Sequence, residues 1–577
     1  MDRRQLLQSL TLKSTKLEGK QALPVAGGLD KYTGSWDYAN AAHLLRRAMF
    51  GPTHEQIKQA VTDGLDATIE KLFTPTTITT KPLHYVDTIK DPFCKQGESW
   101  VGKSFTPSVQ GLNNIRDNSF FSWILQNIFN EGVSINEKMM LFWHNHFVVS
   151  EIFLANVSYQ YYETIRKNVL GNFKELTKNI TIDGAMLNYL NGNTNVKGNP
   201  NENYARELLE LFTLGKGDLA GPGDYTTYTE HDILEIAKVL TGWVTLQNRK
   251  NEKSTTDPID PILYATTNPS VAYNINPRNG QRADFHETGL KILSHRFNYE
   301  EINNLDDKEY AYLIDIIFKK REAATFICRK LYRYFVYYKV DQNIENEIID
   351  QMADQLIADG FAISKTLKKL FSSQHFFSQE AYGALIRSPY EWLFNTAKSM
   401  KMKLPTDYKV TYPVVLTMHR ALLSQDQAVF NLPSVAGWPA YYQEPAYHEI
   451  WVNSVTYPLR YFLGNLFVNK IFGIGRAGGP NAIYGIEVVE YVEGFDDPTN
   501  VTKLIDDIVA HLLPKAISQK QKDFLKSKLL ATVNETQWAA AWNRYKADPG
   551  NQNKIAVEII LRPFFISLLS MPEYHLS

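Results

Sequence analysis

Two short segments hold the residue types and spacings that do chemistry. Trp143-His144-Asn145-His146-Phe147 sets two imidazoles two positions apart, and neutral imidazole nitrogens suit zinc, iron, copper or nickel. On an α-helix such a pair projects about 200° apart, so both rings face one ion only in extended chain or at an unwinding helix end. Val148-Val149-Ser150 follow and are poor helix formers, which predicts unwinding there. The second segment runs from Asn201 to Phe212, where Asn203, Glu207 and Glu210 fall on one polar stripe and Arg206 lies a turn from Glu202 and Glu210. If buried, those carboxylates need Arg, His or a metal as partners; if exposed, they form ordinary ion pairs along a solvated helix face. Later come Glu230-His231-Asp232 with Glu235, and Asp284-Phe285-His286-Glu287.

Carboxylates and imidazoles projecting from separate helices are how helical proteins build metal sites. One reading is therefore a metal-dependent hydrolase or oxygenase. His144, His146, Glu207, Glu210 and His286 would hold a transition metal, zinc or iron, and Glu207, Glu210 and His286 would do the acid–base work. The alternative reading is a non-enzymatic partner or scaffold for assembly or secretion of another protein, in which the same side chains form a buried hydrogen-bond network.

Other chemistries are missing from the sequence. It has no Walker loop, no G-x-G-x-x-G after a strand, no G-x-S-x-G elbow and no H-E-x-x-H. Cys94 and Cys328, the two cysteines, cannot build a disulfide framework or a cysteine-rich zinc module. Basic and acidic side chains number 61 and 62, a balance that argues against a dedicated nucleic-acid or polybasic membrane binder. No apolar run reaches the ~18 residues of a spanning helix. Arg3-Arg4 resembles the start of a twin-arginine export signal, but Gln8, Ser9, Lys13 and Lys16 break up the apolar stretch that such a signal needs.

The elements that must position these groups are mainly helical. The fold expected is a large multi-helix α domain with long irregular loops and short β-hairpins. Residues 1–39 read as a tail or arm, 40–474 as the main helical domain, 475–499 as a Gly-rich and polar loop, and 500–577 as a helical segment packing on the main domain. Thr53 with Gln56, and Thr229 with Asp232, have capping-box spacing and predict helix starts. A helix is expected from Asn203 to Leu214, stopped by Gly215. Further helices are expected near 115–131, 134–149, 157–170, 308–340, 343–359, 363–374, 388–402 and 411–424. Residues 73–112, 188–202 and 244–285 read as loops, the last as an extended loop or a short hairpin, and the Pro- and aromatic-rich stretch 432–457 reads as irregular.

In order along the chain, these motifs resemble one bacterial family, named for a domain of unknown function, number 1800. The resemblance begins at Ala42-His43-Leu44-Leu45-Arg46-Arg47-Ala48-Met49-Phe50-Gly51-Pro52-Thr53 and continues through Trp143 to Phe147 and Asn201 to Gly215. It takes in Tyr228 to Asp232, Thr241-Gly242-Trp243, His286 to Lys291, Val435-Ala436-Gly437-Trp438-Pro439 and Arg460. It implies an exported or periplasmic bacterial protein, often encoded beside one resembling the alkaline phosphatase and sulfatase superfamily, which would be its protein partner. This chain departs from the family pattern in lacking a convincing signal h-region and in carrying Glu287 where an Asp is expected after the histidine.

Overall fold

Helix starts follow the capping residues. Thr53 and Thr229 each accept from the backbone of the residue three on, whose side chain returns the bond, and the helices His54–Asp63 and Glu230–Val239 follow. Ser388, Ser518 and Asn534 do the same for Pro389–Ser399, Gln519–Leu529 and Glu535–Ala547. Each closes two of the amide groups that a helix start leaves open. The computed structural model describes residues 21–577 except 26, 104, 107, 151–153, 244–285 and 473–483. The expectation for 244–285, and those for much of the N-terminal tail and the first part of the Gly-rich loop, lie outside the described residues.

The fold is mainly α. Besides the helices there are, among the described residues, two small antiparallel hairpins, Leu219–Gly221 with Asp224–Tyr225 and Lys291–Ile292 with Glu301–Ile302. Helices form near most of the expected places, including Leu112–Asn130, Asn136–His146, Ala155–Lys167, Ile363–Phe371 and Tyr408–Leu423. Two expectations need correction. The single helix expected over 308–340 is two, Glu309–Ile317 and Arg321–Phe335. The stretch 475–499 is not all loop: Val488–Val492 is a short helix whose Val488, Val489, Tyr491 and Val492 are buried. The unwinding expected at Val148 to Ser150 is present, since the helix ends at His146; both histidines stay on the helix, where Trp143 and Phe147 pack against Phe173.

One contiguous apolar core runs from Leu23 to Tyr574 and includes the C-terminal helices Val501–Leu512 and Asn551–Leu569. Buried arginines tie the start of the chain to the ends of distant helices. Arg46 Nη2 donates to Ala510 O and His511 O, both at 2.7 Å. Arg47 donates to Val336 O at 3.2 Å, Phe335 O at 3.5 Å and Ala381 O at 2.7 Å. Those carbonyls lie at or just beyond helix C-termini, where no intrahelical donor remains and the helix dipole favours a cation. Among the described residues no helix is long and apolar enough to cross a membrane.

Candidate functional site

The expected histidine pair separates. His144 Nε2 accepts the Phe430 N–H at 2.9 Å, so its proton sits on Nδ1, which lies 3.4 Å from the Tyr161 hydroxyl. Tyr161 donates its own proton to Phe147 O. His146 has the opposite tautomer. Its Nε2 lies 3.0 Å from Phe212 O, which only accepts, so Nε2 carries the proton and Nδ1 accepts from Lys330 Nζ at 3.1 Å. Burial lowers His144 to about 3. Burial, then the Lys330 charge, hold His146 well below the ordinary imidazole range. Both rings are neutral and fully hydrogen-bonded.

The acidic segment explains what His146 and Lys330 are bonded to. Asn203–Glu207 is α-helical, and Leu208–Thr213 widens into a π-helix, a form that is often found at functional sites. It ends at Gly215, whose φ of +76° lets its N–H, together with that of Leu214, reach Leu209 O at 3.0 Å. The carbonyls of Leu211 and Phe212 are then free of intrahelical donors. Lys330 Nζ takes the first at 2.9 Å and His146 Nε2 the second. Lys330 therefore bridges the histidine helix and the π-helix with two bonds to neutral acceptors. Its amine is pushed down to about 7, by burial first and by the Arg333 charge second.

Around this bridge lies a cavity of about 170 Å³. Its wall includes Asn145 and His146 from one helix, Glu210 and Leu211 from the π-helix, and Phe326, Arg329, Lys330, Arg333 and Tyr334 from the helix Arg321–Phe335. Ala436, Tyr441 and Tyr442 close it. The turn bearing Ala436 is fastened to the histidine helix by Trp438 N–H donating to Asn145 Oδ1 at 2.7 Å. Gly437 makes that approach feasible. Its φ is +91°, and a Cβ there would fall 2.3 Å from Asn145 Oδ1 and 2.6 Å from Asn145 O.

Of the residues expected to form one site, the cavity brings together His146 and Glu210. Glu210 accepts from the Tyr228 hydroxyl and lies 3.8 Å from Arg206 and 3.4 Å from Lys216. Glu207 is half-buried beside it, and burial, then the Glu210 charge, raises its carboxyl above the usual range. His144 points away toward Phe430 and Tyr161. His286 belongs to a different buried cluster, with Nδ1 3.0 Å from Thr241 O and Nε2 3.1 Å from Glu309, which Lys291 also pairs. Asp232 is engaged by its capping box and by Ser294 N–H, and Glu235 by Lys238. Among the described residues no group of three or more His, Cys, Asp or Glu is placed to hold a metal ion.

The model of the family described as protein of unknown function (DUF1800) matches the chain over residues 43–576. The chain belongs to that family. No curated protein and no solved structure matches it. In this DUF1800 chain, three of the segments that carry the resemblance meet at the cavity: Trp143 to Phe147, Asn201 to Gly215, and Val435 to Pro439. A fourth, Ala42 to Thr53, reaches it indirectly, because Arg47 holds the end of the helix carrying Lys330 and Arg333. Sequence reading missed that helix as a functional element. The available signal was Arg329-Lys330-Leu331-Tyr332-Arg333-Tyr334, in which Arg329, Lys330, Arg333 and Tyr334 share one helical face beside apolar neighbours.

Proposed function

We propose that the protein works through this cavity, binding a small organic molecule against Lys330, His146 and Glu210. The observation that carries the reading is the convergence of separate chain segments on one aromatic-walled space with a few polar groups, the usual make-up of a ligand site. An amine near neutral pKa and a carboxylate on the same wall are the groups that proton transfer needs. The reading is tested by native mass spectrometry of protein purified from bacterial cells, beside an Ala436→Phe variant that fills the cavity mouth. Wild type should retain or regain small molecules that the filled variant does not. Equal retention by both proteins would sink the proposal.

A metal-dependent hydrolase or oxygenase at the same place is the second reading, favoured because His146 and Glu210 share the cavity wall. It requires His146 Nδ1 to exchange Lys330 for zinc or iron. Elemental analysis decides it: stoichiometric metal lost in Glu210→Gln supports this version, and metal retained by that variant removes it. The partner or scaffold reading is favoured by Tyr461, Phe462, Ile555 and Ile559, apolar and exposed on two helices that pack together, Thr456–Val468 and Asn551–Leu569. An alkaline-phosphatase-like protein remains the partner to look for. Its failure to co-purify with the wild-type chain would count against that reading.

A further inference from the structure

The charges around the cavity do not balance. Arg329 is matched by Glu345 through two Nε contacts of 2.8 and 3.0 Å. Glu210 has Arg206 and Lys216 for countercharge. Lys330 and Arg333, one helical turn apart, have none among the described residues. Lys330 donates to a carbonyl and a neutral imidazole and lies 4.7 Å from the centroid of the Phe326 ring. Arg333 donates Nε to Tyr338 O at 3.2 Å, and its guanidinium sits 5.8 Å from the Tyr447 ring centroid. Carbonyls and ring faces solvate a cation in part but do not neutralise it, and both side chains, being partly buried, have given up some of their hydration. The rest of the lining is largely apolar and aromatic, with Phe142, Phe326 and Tyr441.

We propose that the ligand is an organic anion with an aromatic or otherwise flat apolar body. Its carboxylate or similar oxyanion sits between Lys330 and Arg333, and its body lies against Phe142, Phe326 and Tyr441. This rests on the reading of the cavity as a ligand site and adds the chemical class of what fills it. An oxyanion on these two residues gains charge-assisted hydrogen bonds that a neutral ligand cannot make. The aromatic wall rewards burial of the rest of the molecule.

The test uses two fluorescent probes with the same ring system, anionic anilinonaphthalene sulfonate and neutral N-phenylnaphthylamine, on the full-length chain. Binding is measured for wild type, Lys330→Met, Arg333→Gln, Ala436→Phe and a surface control, Lys520→Met. The anionic probe should bind wild type about tenfold more tightly than the neutral one. Lys330→Met and Arg333→Gln should each weaken the anionic probe several-fold more than the neutral one, and the surface control should change nothing. Ala436→Phe should weaken both probes. Because Lys330 also bridges two helices, Arg333→Gln, which gives up a single carbonyl contact, serves as the variant expected to fold normally. If both probes bind equally and Ala436→Phe displaces both, the anion assignment fails and the cavity reading stands. If Ala436→Phe displaces neither, or neither probe binds, the cavity reading fails as well.

Discussion

At the scale of single residues, the site is organised by which atom carries each proton. Phe430 N–H faces His144 and Phe212 O faces His146, so two histidines separated by one residue hold opposite tautomers. Neither assignment follows from the sequence, because both partners come from remote segments. Gly437 shows the same dependence on a distant contact. A Cβ there meets Asn145 backbone and side chain well inside van der Waals distance, at a backbone angle that L residues rarely adopt. Gly437→Ala should therefore lower stability by about 2–4 kcal/mol, combining strained backbone with overpacking. Urea unfolding followed by circular dichroism measures it, and a loss below about 0.5 kcal/mol would show that the turn shifts freely. Since this turn carries Ala436 and closes the cavity, the same variant should also weaken binding of any cavity ligand.

At the scale of elements, helix ends as well as helix faces join the parts of the molecule. Arg47 holds Phe335 O and Val336 O at the end of the cavity helix, and Lys330 holds Leu211 O at the end of the π-helix. Arg47→Met should destabilise by about 2–4 kcal/mol, because buried carbonyls lose their donors. Arg47→Lys should rescue little of this, since one ammonium cannot span both Val336 O and Ala381 O as the guanidinium fork does. Full recovery by Lys, read from unfolding midpoints, would show that charge alone matters here. The element scale is also where the sequence was most legible. Capping boxes at Thr53 and Thr229, the stop at Gly215, and apolar periodicity located helices because those signals are local. The π-helix over Leu208–Thr213 was not legible, since it depends on donors such as Lys330 arriving from another part of the chain. The candidate site was half legible for the same reason. His146 and Glu210 stand out by residue type, whereas Lys330 and Arg333 are of types common on any helix surface, and only the fold brings them to the cavity.

At the scale of the whole molecule, the core that unites the N- and C-terminal helices also encloses many imidazoles. Burial lowers His144, His511 and His575 to about 3 and His419 to about 4, and holds His43 and His146 well below their usual range. In the unfolded chain each would titrate near 6.5. Between that value and the folded one, the unfolded state binds more protons than the native state, so stability falls as pH falls through the window. The neutral-imidazole contribution is complete above pH ~6.5 and is lost progressively toward the folded values, about 4 for His419 and about 3 for His144, His511 and His575. Asp117 and Glu131, raised by burial to about 8, and Asp183, raised to about 6, bind protons in the fold and oppose this. The lowered imidazoles outnumber them, so the unfolding temperature should drop between about pH 6.5 and 4.5. His419 isolates the cause. It stacks on Phe121 at 4.1 Å, and its buried Nδ1 has no hydrogen-bond partner among the described residues. His419→Phe keeps the stacked ring and removes the titration. The variant should match or exceed wild type at neutral pH and gain on it by a further 1–3 kcal/mol, approximately, at pH ~4.5. Parallel acid limbs for the two proteins would mean that His419 protonates in place without opening the fold.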